Sequence, residues 1–316
     1  MSSLLSDPLT LPCGAILPNR IAKGAMTEGM ATPDGVATPE LERLYGIWSD
    51  GGAGMLLSGN IQIDRHHLER PGNVVIDGPA DDPTMAALKS WTKAATRNGN
   101  HFWAQISHGG RQTQSNVNKH PKAPSAVKLG LPGGQFGEPV ALTISEIEEL
   151  TDRFALAAKT CQAAGFTGAQ IHAAHGYLLS SFLSPRSNQR EDAYGGPLEN
   201  RARFLLDVIE KTRAAVGPDF PISVKLNSAA FQKGGFNVED SLQVVQRLET
   251  ASVDLVEISS GTYEQPALMG ADGMVEKEEQ HVAQSTKARK AYFGEFAKYR
   301  QAPVTVPLLV TSGFRT

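Results

Sequence analysis

The chain has 316 residues, 41% of them hydrophobic and 20% charged, with a net charge of −3. That length allows a large buried core and exceeds a typical single domain unless the fold is a barrel. The near-neutral balance gives no reason to expect nucleic acid or an anionic membrane surface as a partner, and two distant cysteines, Cys13 and Cys161, are too few for a disulfide framework, a zinc site or an iron–sulfur cluster.

The N-terminus carries Asp7 and no basic stretch followed by a long apolar run, so no signal peptide is expected. No apolar run is long enough for a bilayer, and a reducing, cytoplasmic setting is the default. Ser3–Leu17 reads as a hairpin turning at Gly14, placed to plug a barrel floor. A first strand is expected over Ile21–Met26. Thr38 and Pro39 then read as N-cap and first helical residue of a helix over 38–50, with Leu41, Leu44 and Trp48 as its apolar stripe. Strand Gly54–Gly59, helix 82–98 and strand His101–Ser107 follow. Residues 109–142 form a long segment containing Gly and Pro, a length usually reserved for a lid or binding loop. Thr143 and Glu146 form a capping-box pair opening a helix over 143–164, with Ile147, Leu150, Phe154 and Cys161 at helical spacing and Gly165 suited to a left-handed stop. Next come strand Gly168–His172 and a helix over 198–216, whose apolar face holds Phe204, Leu205, Val208 and Ile209 before Gly217–Pro218. Strand Pro221–Leu226, helix 237–250, strand Asp254–Ile258, helix 282–300 and strand Val306–Val310 complete the pattern.

Alternating strands and helices imply an α/β fold with a parallel sheet and right-handed crossovers. Seven strands are legible, whereas a closed (β/α)8 barrel needs eight. Either the sheet is not a barrel or the sequence stops before the eighth unit.

The strongest chemical signal is the run IHAAHGYLLSSFLSP within Gly165–Phe204. It sets His172, His175 and Tyr177 at or just past the end of the fourth strand, the end at which barrel active sites are built. Two imidazoles and a phenol this close suit a site that holds an oxygen developing negative charge and delivers a proton. The pair reads equally well as buried structural histidines. His-x-x-His can also chelate, but no third ligand of obvious spacing accompanies it, so no metal is expected.

This run, with YGG-LENRARF after it, resembles the signature of the Old Yellow Enzyme family of FMN-dependent reductases. So do NRIAKGAMT (Asn19–Thr27), WAQISHGGR (Trp103–Arg111), SVKLN (Ser223–Asn227) and VTSGFRT (Val310–Thr316). The resemblance implies one FMN-binding (β/α)8 TIM barrel over 1–316, with the eighth β/α unit missing from this chain. It implies reduction of the activated C=C bond of an enone or enal by NAD(P)H, with hydride leaving flavin N5. It further implies that Thr27 hydrogen-bonds flavin O4, that Ala25, Met26 and Gly59 touch the ring, and that Gln105 faces the pyrimidine edge. Lys225 stands where many members carry arginine and would be the cation near N1; a lysine snorkelling at a strand end is the plainer alternative. Gly313 and Arg315 would help hold the phosphate. His172 and His175 would donate to the substrate carbonyl oxygen, and Tyr177 would protonate Cα. Arg111 and the 109–142 loop could contact the nicotinamide. Barrels of this kind often pair through outer helices, so a homo-oligomer is an expectation. Three other functions stay open: a flavin-dependent dehydrogenase or demethylase of another substrate class, a truncated non-catalytic paralogue, and a metal-dependent barrel hydrolase.

Overall fold

The computed structural model describes residues 4–131, 133–229, 234–259, 261–264 and 304–311. Seven strands form the path of the main parallel sheet among them, β1 (Ala22–Lys23), β2 (Met55–Gln62), β3 (His101–Ser107), β4 (Gly168–Ala173), β5 (Ile222–Asn227), β6 (Leu255–Ser259) and β7 (Leu308–Val310), and the short strand Val74–Val75 pairs in parallel with the end of β2 off that path. The seven lie side by side in chain order, each hydrogen-bonded in parallel to the next. Helices α1 (Pro39–Asp50), α2 (Asp82–Ala95), α3 (Ile144–Ala164), α4 (Leu198–Val216) and α5 (Val238–Thr250) follow strands β1 to β5 in turn. This is the wall of a (β/α)8 barrel through seven strands, with no eighth unit among the described residues. The sheet curls far enough that a methyl group at Gly24, beyond β1, would lie 4.0 Å from Thr311, beyond β7. The expected helix over 282–300 lies outside the described residues.

Every residue of β2, β4, β5 and β6 is buried, as expected where helices cover one face and the barrel lumen the other. One core lies between sheet and helices, centred on Tyr45, Trp91, Phe102, Phe154, Phe204 and Ile209. The Thr143 capping box forms as expected, and Gly165 closes α3 at φ +98°. Thr38 behaves differently. Its backbone is extended and Pro39 follows, but its hydroxyl donates to Met30 O (2.7 Å) instead of capping α1. The first strand is also shorter than expected, two residues instead of six, and among the described residues β1 has a ladder partner on one side only.

The lumen is graded. At its floor Leu57, Trp103 and Leu255 pack with Leu11 and Leu17 of the N-terminal hairpin, whose strands Leu9–Thr10 and Ile16–Leu17 pair antiparallel. Gly14 takes the turn at φ +88°. Higher up, successive inward positions become polar: Asn60 pairs in register with Gln105 and Gln105 with Gln170. One layer above, His172 stands in register with Lys225, and Lys225 with Glu257. A cleft of about 320 Å³ opens at the seam between β1 and β7, beside the floor and away from these polar groups.

Candidate active site

Strand β2 carries a bulge. Leu57 pairs with Trp103 and Asn60 with Gln105, so Ser58 and Gly59 together oppose one residue of β3. Such an insertion bends a strand and re-aims its side chains. Ser58 Oγ accepts from Gln105 N–H (2.9 Å), which locks the irregular register. The segment after β1 crosses directly over Gly59, where a Cβ would lie 2.4 Å from Met26 O and closer still to the Glu28 carboxylate. Only glycine fits under Ala25, Met26 and Thr27. Gly59 N–H donates to Glu28 Oε1 (3.0 Å), and Tyr45 hydrogen-bonds the same carboxylate. The Met26 side chain is exposed, and Ala25 is half-buried.

Across the lumen runs a buried polar chain. Gln105 Nε2 donates to Gln170 Oε1 (2.7 Å), and Gln170 Nε2 donates to Glu257 Oε2 (2.8 Å). Lys225 Nζ lies 3.0 Å from Glu257 Oε1, with both side chains almost wholly buried. Thr311, just past β7, donates to the same carboxylate. Lys225 is therefore an ion-paired cation inside the barrel, not a snorkelling surface lysine. Gln170 and Glu257 were not singled out from the sequence. Gln170 shares a face with His172 by period-two alternation, and a carboxylate inside the apolar strand LVEIS signals a buried partner.

The IHAAHGY turn brings the three expected groups together. Ala174 N–H donates to His172 Nδ1 (3.2 Å), so the ring proton of the neutral imidazole sits on Nε2. Burial first, then His175 and Lys225, drive the His172 pKa well below 6.5. His175 adopts φ +62°, a conformation strained for a non-glycine residue. Its backbone N–H donates to Asn227 Oδ1 (3.2 Å), and its Nε2 lies 2.7 Å from Ser259 Oγ. Burial and then Lys225 push the His175 pKa down to about 3. Gly176 continues the left-handed turn at φ +85°. The chain thus doubles back, and the Tyr177 ring meets His172 edge-on with centroids 4.8 Å apart; His172 and His175 centroids are 5.2 Å apart. Tyr177 then caps a short helix, Leu178–Leu183.

Tyr177 Oη lies 2.9 Å from the hydroxyl of Tyr263, which follows β6. Tyr263 donates to Glu69 Oε1 (3.4 Å), and Thr27 Oγ1 donates to Glu69 Oε2 (2.6 Å). Neither Tyr263 nor Glu69 carries a sequence signal, since both sit in loops. The 109–142 segment folds over this region: Arg111 forms a buried ion pair with Glu264 (2.8 Å), and Phe136 packs against Tyr263 with centroids 6.0 Å apart. Gly313 and Arg315 lie outside the described residues.

Asp64, His67 and His108 also cluster tightly enough to hold a metal ion. His67 already uses both nitrogens, Nδ1 at 2.9 Å from Asp64 and Nε2 accepting from Lys122 N–H at 3.0 Å, and Arg153 lies 3.7 Å from the Asp64 carboxylate. A cation beside a satisfied histidine–carboxylate pair makes this a structural network.

Fold and site define a class: an α/β-barrel protein with a polar site at the carboxyl ends of its strands. Comparison with known proteins narrows it. The model of the NADH:flavin oxidoreductase / NADH oxidase family matches residues 5–307, and the chain belongs to that family. It is 36% identical over 326 residues to an NADH-dependent flavin oxidoreductase of Hypocrea jecorina, covering 98% of this chain and 80% of the relative. The old yellow enzyme homologue of Zymomonas mobilis superposes with a TM-score of 0.79 at 27% identity, over 99% of this chain and 83% of that one. A 2-naphthoyl-CoA reductase shares the fold with a TM-score of 0.84 at 24% identity, this chain spanning 46% of it. The resemblance to the Old Yellow Enzyme family holds at the level of family and fold, and the general character is that of an NAD(P)H:flavin oxidoreductase. Among the described residues, no helix is long and apolar enough to cross a membrane.

Proposed function

We propose that this chain uses NAD(P)H and FMN to reduce the activated C=C bond of α,β-unsaturated carbonyl compounds. The carrying observation is the turn that gathers two neutral imidazoles and a buried phenol, with His175 and Tyr177 each in ring contact with His172.

The residues present fit the flavin. Gly59, where a side chain has no room, lets the segment Ala25–Met26–Thr27 pass directly over the bulge of β2. The donors beyond it, the Gln105 amide and the Lys225 ammonium, match the polar edge of an isoalloxazine, and the Thr27 hydroxyl would join them on giving up its hydrogen bond to Glu69. These residues would hold the ring end of FMN, with Gly313 and Arg315 assigned to its phosphate by resemblance. FMN held there would supply the redox chemistry, the carrying of hydride between NAD(P)H and the alkene.

The chain's own part is electrostatic. Hydride can add to Cβ only if the adjacent carbonyl accepts the displaced charge. His172 offers an Nε2–H donor that needs no reorganisation, and a neutral imidazole donates to an enolate-like oxygen without surrendering its proton. His175, held by Asn227 and Ser259, is the second imidazole at that oxygen. Tyr177, whose hydroxyl burial holds well above the usual phenol range, stays protonated and serves as general acid at Cα.

The test is a visible absorption spectrum of purified protein supplied with FMN, taken before and after anaerobic NADH or NADPH. A flavin spectrum that bleaches and returns on adding cyclohexenone is expected. Tyr177→Phe should slow that return about 10²- to 10⁴-fold. Bleaching reversed only by oxygen would keep the flavin and remove the enone, favouring a dehydrogenase of another substrate class. Failure to take up FMN would overturn the reading altogether.

A further inference from the structure

Each turnover of the proposed reaction takes one proton from Tyr177, and that proton must be replaced. Tyr177 is itself buried, with little of its surface open to solvent. The structure gives it one hydroxyl neighbour, Tyr263 at 2.9 Å, and Tyr263 in turn reaches Glu69 at 3.4 Å. Glu69 is only 3% exposed, but Arg70, paired to it at 2.8 Å, has a half-exposed side chain. A continuous line of exchangeable groups thus runs from the imidazole–phenol cluster to the surface. It joins the loops after β4, β6 and β2, which chain connectivity alone gives no reason to meet. Glu69 also accepts from Thr27 (2.6 Å) on its second oxygen, while the first accepts from Arg70 Nε (2.9 Å) and faces Tyr263.

Building on the function proposed above, we infer that Tyr263 and Glu69 form a proton relay that reloads Tyr177 from solvent beside Arg70. The Tyr177 O–H bond breaks as its proton goes to Cα. The Tyr263 proton then moves to the Tyr177 phenolate. A hydronium ion at the surface then gives its proton to the Glu69 carboxylate, which passes it on to the Tyr263 phenolate and returns to its charged form. The sum is one solvent proton delivered per Cα–H bond formed. Tyr263 and Glu69 are positioning residues, because neither needs to touch the substrate. Groups that titrate or carry charge and face the two phenols are His172, Glu69 and Arg70.

The experiment compares Tyr263→Phe, Glu69→Gln, Glu69→Asp and Tyr177→Phe in the FMN-loaded full chain. The pre-reduced enzyme already holds the Tyr177 proton, so a single turnover with cyclohexenone draws on no reload, whereas steady-state turnover does. For Tyr263→Phe the relay predicts a steady-state rate at least about tenfold lower relative to the single-turnover rate, with a larger solvent deuterium effect in the steady state. Glu69→Gln should show the same split and Glu69→Asp partial rescue. A readout free of flavin and of activity is NMR of protein carrying carbon-labelled tyrosine rings. Loss of the Glu69 charge in Glu69→Gln should lower the pH at which Tyr177 ionises, since that charge now raises it. Equal loss in single and steady-state turnover, or an unmoved Tyr177 titration, would overturn the relay. Tyr177→Phe inactive beside an indifferent Tyr263→Phe sinks the relay alone. Full activity of Tyr177→Phe sinks the proposed function and the relay with it.

Discussion

The two ends of the barrel are closed by different physics. The floor is apolar: Leu11, Leu17, Met55, Leu57, Trp103 and Leu255 bury one another beneath the hairpin. The rim is polar: Gln105, Gln170, Glu257 and Lys225 satisfy one another across the lumen, and Thr27, Glu69, Tyr263 and Tyr177 do so above it. Apolar contact is non-directional and scales with area, so the floor should tolerate changes of shape and lose stability in proportion to volume removed. Buried hydrogen bonds are directional, and each leaves an uncompensated partner when broken. Rim substitutions should therefore alter chemistry or single out specific partners.

Trp103→Ala tests the floor most severely. It removes a fully buried indole that already packs so tightly on Gly168 that a Cβ there would lie 2.6 Å away. A loss of about 3–5 kcal/mol in denaturant unfolding is expected. The fraction that stays folded should keep its rim chemistry; a selective loss of turnover at full stability would break the comparison.

Lys225→Met tests the rim. It strands the wholly buried Glu257 carboxylate and should destabilise by about 3 kcal/mol, whereas Lys225→Met with Glu257→Gln should recover most of that loss. Denaturant curves of both, together with Glu257→Gln alone, give the coupling. Additive losses would mean that the pair is not the unit inferred here.

The smallest effect is a pH dependence confined to the rim. An ordinary imidazole titrates near 6.5, but burial and Lys225 hold His175 at about 3, and His172 is also driven well below 6.5. Below 6.5 the unfolded chain binds protons at both sites while the folded chain does not. This contribution to stability is therefore complete above 6.5 and is lost as pH falls from 6.5 toward 3. Unfolding midpoints at pH 7 and pH 5 should differ more for the parent than for His175→Asn. Equal slopes would show that the buried imidazoles do not govern acid sensitivity.

Much of the barrel is legible without coordinates. Strand His101–Ser107 falls where alternation and apolar runs place it, and the Thr143–Glu146 box and Gly165 bound α3 as their capping chemistry requires. These signals are local. The side-chain period, the cap and the left-handed glycine each depend on residues within one or two turns, so the amino-acid order alone determines them. His172, His175 and Tyr177 were legible for the same reason, since one tight turn carries all three. The tertiary structure alone decided the rest. Glu69 meets Tyr263 across 194 residues, and Lys225 finds Glu257 only because two strands lie in register across a curled sheet. No period in the sequence encodes such pairs. They follow from sheet closure, which brings the loops after β2, β4 and β6 to one rim and withdraws them from water, where unpaired polar groups are costly enough to select their partners.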